Sequence, residues 1–363
     1  MRIAIIGVGA IGCLIAARLG TSGHPVTLIA HRQATVRAIR AEGLEVTSPE
    51  GLVTRHEAAV TDDPLSIGQQ DLVILCVKAY SLSGVLGTLS QLIGLHTAIV
   101  PVLSGIPWWY PSGPSASLAG LRLASLDADG SLAAAIPVDR VVGAVTSVAA
   151  ESLGIGRVHH VHGGQFQFGL PVPKRTAVAP LRSPPTPGVI AGAFRASGFR
   201  AAAVRDVRMQ VWANLMGILA LYPLSVLTEG DPASIFTEPA LRGVALRMMG
   251  EAQTVADRLG VRSATSTDDQ LAAAAVRGRF RTPMRQDDLS GRRLELDAIL
   301  GAVIELADRV GVDVPTLRRI HDLTDQRARN CHRRNGKFDD HGNDRWCAAL
   351  AVADGLGEDR GDT

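Results

Sequence analysis

Three glycines close to the N-terminus have the spacing of a phosphate-binding turn. They lie in a G-x-G-x-x-G segment that consists of Gly7, Val8, Gly9, Ala10, Ile11 and Gly12. The segment follows a short apolar strand and opens a helix, which is the context that a dinucleotide-binding turn requires. The first glycine permits the turn, the second lets backbone approach a pyrophosphate, and the third lets helix and strand pack closely. Because a helix N-terminus attracts negative charge, the segment predicts dinucleotide binding rather than a purely structural turn.

The end of the second predicted strand indicates which dinucleotide is bound. In NAD-binding sites an Asp or Glu about 20 residues after the glycines holds the ribose hydroxyls. Here the strand at residues 26–30 is followed by His31 and Arg32, so basic residues replace the carboxylate. Such residues attract a 2′-phosphate, which makes NADPH the predicted cofactor. The alternative is that Arg32 is a solvated surface residue without a specific role.

The N-terminal half of the chain has the pattern that places such residues at one edge of a sheet. Apolar runs predict strands at residues 2–6, 26–30, 71–77 and 98–103, and a helix at residues 10–19. Strands that alternate with helices indicate a parallel, doubly wound sheet of the Rossmann type. Residues 158–169 have the pattern of a hairpin that turns at Gly163 and Gly164 and ends the domain. The sequence therefore predicts an α/β NADP-binding domain at residues 1–170.

The C-terminal half has apolar residues at intervals of three and four. This spacing predicts helices at residues 190–197, 207–227, 239–259, 267–277, 294–310 and 316–329. Repeated prolines at residues 171–187 predict a linker, so an all-helical domain for substrate binding or dimerisation covers residues 188–329. Such an exposed helical domain is consistent with a homodimer. Residues 330–363 are rich in Arg, Asp, Asn and Gly, which predicts a poorly ordered tail.

The bulk composition is that of an ordinary soluble protein. With 363 residues, of which 46% are hydrophobic, the chain is long enough for two globular domains. A formal net charge of +2 gives no general attraction to nucleic acid or to an anionic membrane, and no apolar run has the length of a spanning helix. The four cysteines lack a disulfide spacing and the N-terminus lacks a signal peptide, so we expect a cytoplasmic protein.

Two groups of metal-ligating residue types lack the pattern of a metal centre. His160 and His162 share one face of a predicted strand, but no nearby Cys, Asp or Glu completes a coordination set. The second group has an irregular spacing and consists of Cys331, His332, His341 and Cys347. We therefore predict no metal site.

Four further segments, together with the glycine turn, resemble the ketopantoate reductase (2-dehydropantoate 2-reductase) family. They are the run from Asp71 to Tyr80, the run from Ser104 to Trp109, the pair Gln286 and Asp287, and the run from Glu295 to Asp297. The resemblance implies an N-terminal Rossmann domain and a helical C-terminal domain with the active site in the cleft between them. It also implies the NADPH-dependent reduction of a 2-keto acid.

The resemblance assigns roles to residues at matching positions. It implies that His31 or Arg32, together with Lys78, contacts the 2′-phosphate, and that Glu295 lines the substrate pocket. Ser104 stands where the family has an asparagine and is placed with the cofactor-binding residues. A ligand-binding role for Lys78 also has a physical reason that does not depend on the resemblance. A cation at the carboxyl end of a parallel strand lies where such sheets bind ligands. A solvated surface lysine is the alternative.

The sequence departs from the family pattern at the catalytic helix. The family has a lysine as general acid and two asparagines at successive four-residue steps, and these positions are Asn214, Ile218 and Tyr222 here. On one continuous helix the three side chains would share a face. Asn214 can donate a hydrogen bond but cannot deliver a proton, a function that contributes about 10²–10⁴-fold in rate. The remaining candidate acids are Tyr222 and Glu295, the latter if burial raises its pKa. A further departure from the family pattern is Pro283, which replaces a serine.

These departures leave three hypotheses. The first is an NADPH-dependent reductase of the ketopantoate reductase type, shifted to a less polar carbonyl or imine by Ile218 and Tyr222. The second is a non-catalytic dinucleotide-binding protein with an intact Rossmann half and a degenerate catalytic half. The third, an opine- or imine-type dehydrogenase, rests on fold analogy alone.

Overall fold

The computed structural model describes residues 1–112, 118, 120–172, 183–261 and 281–335. Its strands are β1 (Ile3–Ile6), β2 (Val26–Ile29), β3 (Leu44–Thr47), β4 (Val53–His56), β5 (Ala59–Thr61), β6 (Leu72–Leu75), β7 (Ala98–Pro101), β8 (Gly143–Thr146), β9 (Ala149–Gly154), β10 (Arg157–His162), β11 (Gln165–Gly169) and β12 (Arg200–Ala203). Its helices are α1 (Ala10–Thr21), α2 (Gln33–Glu42), α3 (Leu86–Leu92), α4 (Ser131–Ala135), α5 (Pro187–Ala196), α6 (Val207–Met216), α7 (Leu221–Thr228), α8 (Pro232–Thr237), α9 (Pro239–Arg258), α10 (Pro283–Leu289), α11 (Ala302–Val310) and α12 (Pro315–Asn335). The predicted helix at 267–277, most of the predicted linker and the tail after residue 335 lie outside the described residues.

Five parallel strands form the sheet that carries the glycine turn. Their order is β5-β2-β1-β6-β7, and Ile3 of β1 lies opposite Val26 of β2 and Leu72 of β6. Alternate residues of β1 and β6 belong to two separate apolar cores, one on each face of the sheet. The chain runs from β1 outward through β2 and β5, and afterwards through β6 to β7 on the other side of β1. The predicted doubly wound sheet and its four strands are confirmed, with the topological switch point between β1 and β6.

The hairpin predicted at residues 158–169 is wrong. The strands β10 and β11 occupy these residues, but β10 pairs with β3 and β9 whereas β11 pairs with β8 and β12. Gly163 and Gly164 between them have φ values of +84° and +143°. A Cβ at Gly163 would lie 2.0 Å from the carbonyl oxygen of Ser147. The two glycines therefore let the chain pass from one sheet to another, and a strand pattern alone does not distinguish this from a hairpin.

The boundary between the two domains lies further along the chain than residue 188. The strand β12 pairs in parallel with β11, and α5 packs against both of them. Four rings join these elements in one cluster with centroids 4.8 to 6.0 Å apart, and they belong to Phe166, Phe168, Phe194 and Phe199. Because α5 and β12 bury their apolar side chains against the first domain, the helical domain begins with α6.

The helix predicted at residues 207–227 is two helices, α6 and α7, with a turn at residues 217–220 between them. Pro223 has no N–H to donate to the carbonyl of Leu219, and its ring clashes with that carbonyl in a regular helix. In the first turn of a helix, N–H groups have no acceptor within the helix, so the missing N–H of Pro223 costs no hydrogen bond in α7. At the end of α6, the N–H groups of Gly217 and Ile218 donate to carbonyls three residues earlier. Asn214 therefore lies in the last turn of one helix and Tyr222 in the first turn of the next.

This same stretch, Val207–Thr228, is long and apolar enough to cross a membrane by length and composition. However, the turn at residues 217–220 divides it, and 67% of its apolar window is buried inside the protein. Leu215, Leu219 and Val226 are fully buried. The two helices thus form the centre of the helical domain.

A turn that follows β7 connects the two domains. The N–H of Ile106 donates to the carbonyl oxygen of Ala298 at 2.8 Å. Ala298 belongs to a π-helical turn, Asp297–Gly301, that leads into α11. Gly105 has a φ of +79°, and a Cβ there would lie 2.1 Å from the Ala298 oxygen. Only glycine can satisfy both the conformation and the contact.

Replacement of Gly105 by alanine is expected to lower the free energy of unfolding by about 2–4 kcal/mol, since the methyl group adds overlap to an unfavourable φ. Urea denaturation measures this change. Gly250, in α9, is the matched control because a Cβ there meets no atom within 4 Å. Its replacement by alanine is expected to stabilise the protein by about 0.5–1 kcal/mol. Equal effects at the two positions would contradict the proposed role of Gly105.

Candidate active site

The glycine turn has the geometry of a dinucleotide site. Gly7 has a φ of +112°, and a Cβ there would lie 2.4 Å from the carbonyl oxygen of Cys76. A Cβ at Gly12 would lie 2.0 Å from the oxygen of Gly7, so both glycines are required by the fold. Gly9 differs, because a Cβ there would meet no atom within 4 Å. Gly9 is also the residue directly before α1. Open space at the N-terminus of a helix is where a pyrophosphate fits.

The other three residues of the turn, Val8, Ala10 and Ile11, are partly buried and pack against the core on one face of the sheet. They hold α1 against β1 and thereby fix the direction of its N-terminal N–H groups. No acidic residue lies in the first turn of α1. The site therefore presents donors and a positive helix end without a competing carboxylate.

Replacement of Gly9 by alanine is expected to weaken dinucleotide binding at least about tenfold while changing the free energy of unfolding by less than about 1 kcal/mol. The reason is that its φ of −86° suits alanine and only the open space of the site is lost. Fluorescence titration with NADPH measures the affinity. Gly20 is the control, since it lies in the last turn of the same helix and also has nothing within 4 Å of its Cβ position. Equal loss of affinity in both variants would show that the effect is not local.

His31 and Arg32 follow β2 after one intervening residue, Ala30, on the adenosine side of the glycine turn. His31 is exposed, and Arg32 is half-buried at the residue before α2. The first turn of α2 also lacks an acidic residue. A phosphate at this point would meet a guanidinium and a second helix N-terminus.

Lys78 follows β6 and reaches across to the helical domain. Its Nζ donates to Oδ2 of Asp287 at 2.7 Å and to Oε2 of Glu295 at 2.9 Å. The other oxygen of Glu295 accepts from the backbone N–H of Ala79 at 3.0 Å. The other oxygen of Asp287 accepts from Nε of Arg292 at 2.8 Å. All four carboxylate oxygens therefore act as acceptors in one network between the domains.

The charges of this network determine the protonation of Lys78. Burial lowers the pKa of the Lys78 ammonium, but the nearby carboxylates of Glu295 and Asp287 outweigh burial, so the pKa is raised above its ordinary value. Lys78 is therefore a cation throughout the ordinary pH range. Glu295, predicted as a possible acid, accepts hydrogen bonds at both oxygens, from Lys78 and from the backbone of Ala79.

Asn214 lines a narrow pocket between the domains. Backbone groups and mostly apolar side chains form its wall, which consists of Pro101, Leu103, Gly105, Pro107, Trp109, Ala144, Val145, Val211 and Asn214. The Asn214 side chain makes no hydrogen bond to any residue in the described part of the chain, so its amide is available to a ligand. Nε1 of Trp109 is buried and also has no hydrogen-bond partner there. Asn214 and Trp109 are thus the two lining residues whose side chains carry N–H donors.

The structure separates the other two residues of the expected catalytic stripe. Ile218 lies in the turn between α6 and α7 and is buried in the core. Tyr222 is half-buried in the first turn of α7 and packs against the same core. Ser104 lies after β7 and is half-buried beside Gly105, one of the pocket residues. Pro283 is the first residue of α10, where its missing N–H leaves no helix bond unmade.

Sequence reasoning missed the roles of Asp287 and Arg292. Asp287 contributes to the family resemblance, but its contact with Lys78 spans 209 positions and has no local signal. A weak signal exists, because Lys78 follows an apolar strand and the nearest acidic residue in the sequence, Asp71, lies at the opposite end of that strand. Among the described residues, no group of three or more His, Cys, Asp or Glu side chains is placed to hold a metal ion.

Comparison with known proteins places this site in a family. The model described as ketopantoate reductase PanE/ApbA matches residues 3–172, and the model of its C-terminal domain matches residues 206–328. The chain belongs to the ketopantoate reductase family. The C-terminal match begins after β12, in agreement with a helical domain that starts at α6.

Relatives of known name match this chain over most of its length and over nearly all of their own. The 2-dehydropantoate 2-reductase of Mesorhizobium japonicum is 34% identical over 336 residues, which are 92% of this chain and 100% of that protein. The 2-dehydropantoate 2-reductase of Halobacterium salinarum is 26% identical over 324 residues, 89% of this chain and 97% of that protein. A solved structure from Ralstonia solanacearum MolK2, assigned to the ketopantoate reductases, is 30% identical and has a TM-score of 0.82 over 91% of this chain and 98% of its own.

Membership of the ketopantoate reductase family makes this chain a relative of oxidoreductases that use a nicotinamide cofactor. The glycine turn and Lys78 fit the family pattern, whereas Asn214 and Ile218 depart from it. This member therefore keeps the glycine turn and differs from the family pattern at positions 214 and 218.

Proposed function

We propose that this protein is a cytoplasmic NADPH-dependent reductase of a 2-keto acid or a related carbonyl compound. The observation that carries the proposal is the open space at Gly9 on the switch-point edge that also carries Lys78. This edge brings together the glycine turn and a cation that is linked to the helical domain. Such sheets bind ligands at this edge.

The residues present fit the cofactor. The N–H groups at the start of α1 would hold the pyrophosphate, and Arg32 with His31 would hold a 2′-phosphate. Bound NADPH supplies a hydride for the carbonyl carbon and is itself oxidised to NADP⁺. The protein must orient the carbonyl, exclude water and provide a proton for the oxygen.

The pocket lining and the names of the relatives support the proposed substrate class. Several curated relatives are named 2-dehydropantoate 2-reductase, which supports a 2-keto acid. Most side chains in the pocket wall are apolar, and Asn214 and Trp109 are the two lining residues whose side chains carry N–H donors. An amide and an indole can hold a carbonyl or a carboxylate, but neither delivers a proton. We therefore favour a substrate that is less polar than ketopantoate.

A non-catalytic NADPH-binding protein is the second candidate. Asn214 favours it, because this residue stands at the position of the family's acid and cannot replace it. The two candidates make the same prediction for cofactor affinity. They differ only in turnover.

Two measurements on the purified protein test the proposal. Fluorescence titrations give the Kd for NADPH and for NADH, and we expect NADPH to bind more tightly. The loss of NADPH absorbance is then followed with ketopantoate and a panel of 2-keto acids that differ in side-chain polarity. Turnover of one of them with NADPH supports the reductase. Tight binding without any turnover would favour the non-catalytic protein, and absence of binding would contradict both.

A further inference from the structure

One large side chain dominates the wall of the pocket that holds Asn214. Trp109 is the largest residue of this wall, and the others are glycine, proline, alanine, valine, leucine and asparagine. The cavity that they enclose has a volume of about 10 Å³, which is room for about one water molecule. The space beside Asn214 and Trp109 therefore takes an oxygen atom or a group of methyl size, and a larger group would overlap the wall.

The segment that carries Trp109 is anchored on both sides of this residue. Before it, the N–H of Ile106 donates to a carbonyl of the helical domain at 2.8 Å. After it, the ring of Tyr110 lies 6.2 Å from the ring of Trp212 on α6, and the guanidinium of Arg208 lies 4.6 Å from the centre of the Tyr110 ring. Trp109 itself is only 2% exposed. These contacts fix the position of the indole in the wall.

A glycine on a neighbouring strand makes room for the indole. A Cβ at Gly143, the first residue of β8, would lie 2.8 Å from Cζ2 and from Cη2 of Trp109. It would also lie 3.1 Å from Cγ1 of Val207, the first residue of α6. Gly143 is not among the glycines with a positive φ, so space for the ring, and not backbone conformation, is the reason for glycine here. The indole therefore packs against β8 beside the start of α6.

We infer that Trp109 determines the substrate specificity of this protein, and that its substrates are 2-keto acids with a small, unbranched side chain. The inference rests on the proposed reductase function and narrows its substrate class. An unbranched 2-keto acid has a single CH₂ group next to the carbonyl, whereas an acid that is branched at C3 has additional methyl groups there. The indole leaves room for the first arrangement and excludes the second. Ketopantoate, with three carbon substituents on C3, is excluded for the same reason.

Two isomeric 2-keto acids, 2-oxopentanoate and 3-methyl-2-oxobutanoate, test the inference. They have the same atoms and the same charge, and they differ only in the branch at C3. One methyl group in a hydrophobic pocket changes kcat/KM by about 10- to 200-fold, so we expect the wild type to favour the unbranched isomer at least about tenfold. In Trp109→Leu, which has a smaller apolar side chain, we expect a ratio of less than about threefold. The change should come mainly from a lower KM for the branched isomer.

Trp108→Leu is the matched control, because Trp108 is the preceding residue and is also buried but does not line the pocket. We expect it to keep the wild-type ratio. Trp109→Phe removes only part of the indole, is expected to give an intermediate ratio, and serves as the second variant if leucine impairs folding. Calorimetric titration of each isomer into the protein with NADP⁺ gives a Kd that does not depend on turnover, because NADP⁺ has no hydride to transfer. The ratio of the two Kd values should change in the same direction.

The contrary outcomes separate this inference from the proposed function. A wild type that reduces both isomers equally well, or a Trp109→Leu variant that keeps the wild-type ratio, would overturn the inference and leave the reductase function standing. An equal change in Trp109→Leu and Trp108→Leu would overturn it as well, because the effect would then not belong to the pocket wall. If the unbranched isomer binds more tightly but no 2-keto acid is reduced, the reductase function fails and the binding preference stands. If neither isomer binds or is reduced, both fail.

Discussion

Replacement of Asp287 by alanine is expected to lower the free energy of unfolding by about 2–3 kcal/mol, because it removes one partner of a largely buried ion pair. Asp287 accepts from both Lys78 and Arg292, and it joins the Rossmann domain to the helical domain. The expected loss is smaller than for a fully buried pair, since Lys78 keeps Glu295 and is 30% exposed. Urea denaturation at pH 7 measures the change.

The pH dependence of this difference follows from Lys78. A raised pKa means that the ammonium contributes its stability fully below its ordinary value of 10.5 and loses it as the pH rises through the raised value. The wild type and Asp287→Ala should therefore differ by the same amount between about pH 6 and pH 9.

Asp308→Ala is the matched control, because its ion pair with Arg318 is on the surface and its side chain is 60% exposed. It should cost less than about 0.5 kcal/mol. Equal losses in the two variants would show that the network between the domains has no special role.

Replacement of Arg32 by glutamine is expected to weaken NADPH binding about 10- to 100-fold while the Kd for NADH changes by less than about twofold. The two dinucleotides differ only in the 2′-phosphate, so the ratio of their affinities isolates this contact. Arg32 lies directly before α2, where the helix end adds to its attraction for an anion. Titration of both dinucleotides into both proteins gives the ratio.

Arg37→Gln is the control on the same helix. Its side chain is exposed and donates to Gln33 within α2. We expect both affinities to stay at the wild-type value. If Arg32→Gln weakens NADPH and NADH equally, Arg32 supports the fold of the site and does not select the 2′-phosphate.

The sequence predicts the cofactor half of the protein well because its signals are local. The turn from Gly7 to Gly12, the strand before it and the helix after it lie within one short segment. The strands β6 and β7 are continuous apolar runs, as strands buried on both faces must be. Each of these elements forms where its own residues require it.

The remaining parts depend on contacts that a local pattern does not contain. The alternation in β10 and β11 is correct for strands, but their partners lie in two different sheets. The apolar spacing after residue 207 is helical throughout, and only Pro223 signals the break between α6 and α7. In the candidate site, Lys78 and Glu295 were recognisable, whereas their mutual ion pair spans 217 positions. The sequence shows the charges but not which of them meet.

The most direct test of the reductase uses NADPH that carries deuterium at C4 of the nicotinamide, on the face that the protein uses. The purified protein is incubated with this cofactor and each 2-keto acid, and the product is analysed by mass spectrometry. We expect a 2-hydroxy acid with one deuterium at the former carbonyl carbon. Cofactor that binds tightly but transfers no deuterium to any carbonyl compound would contradict it.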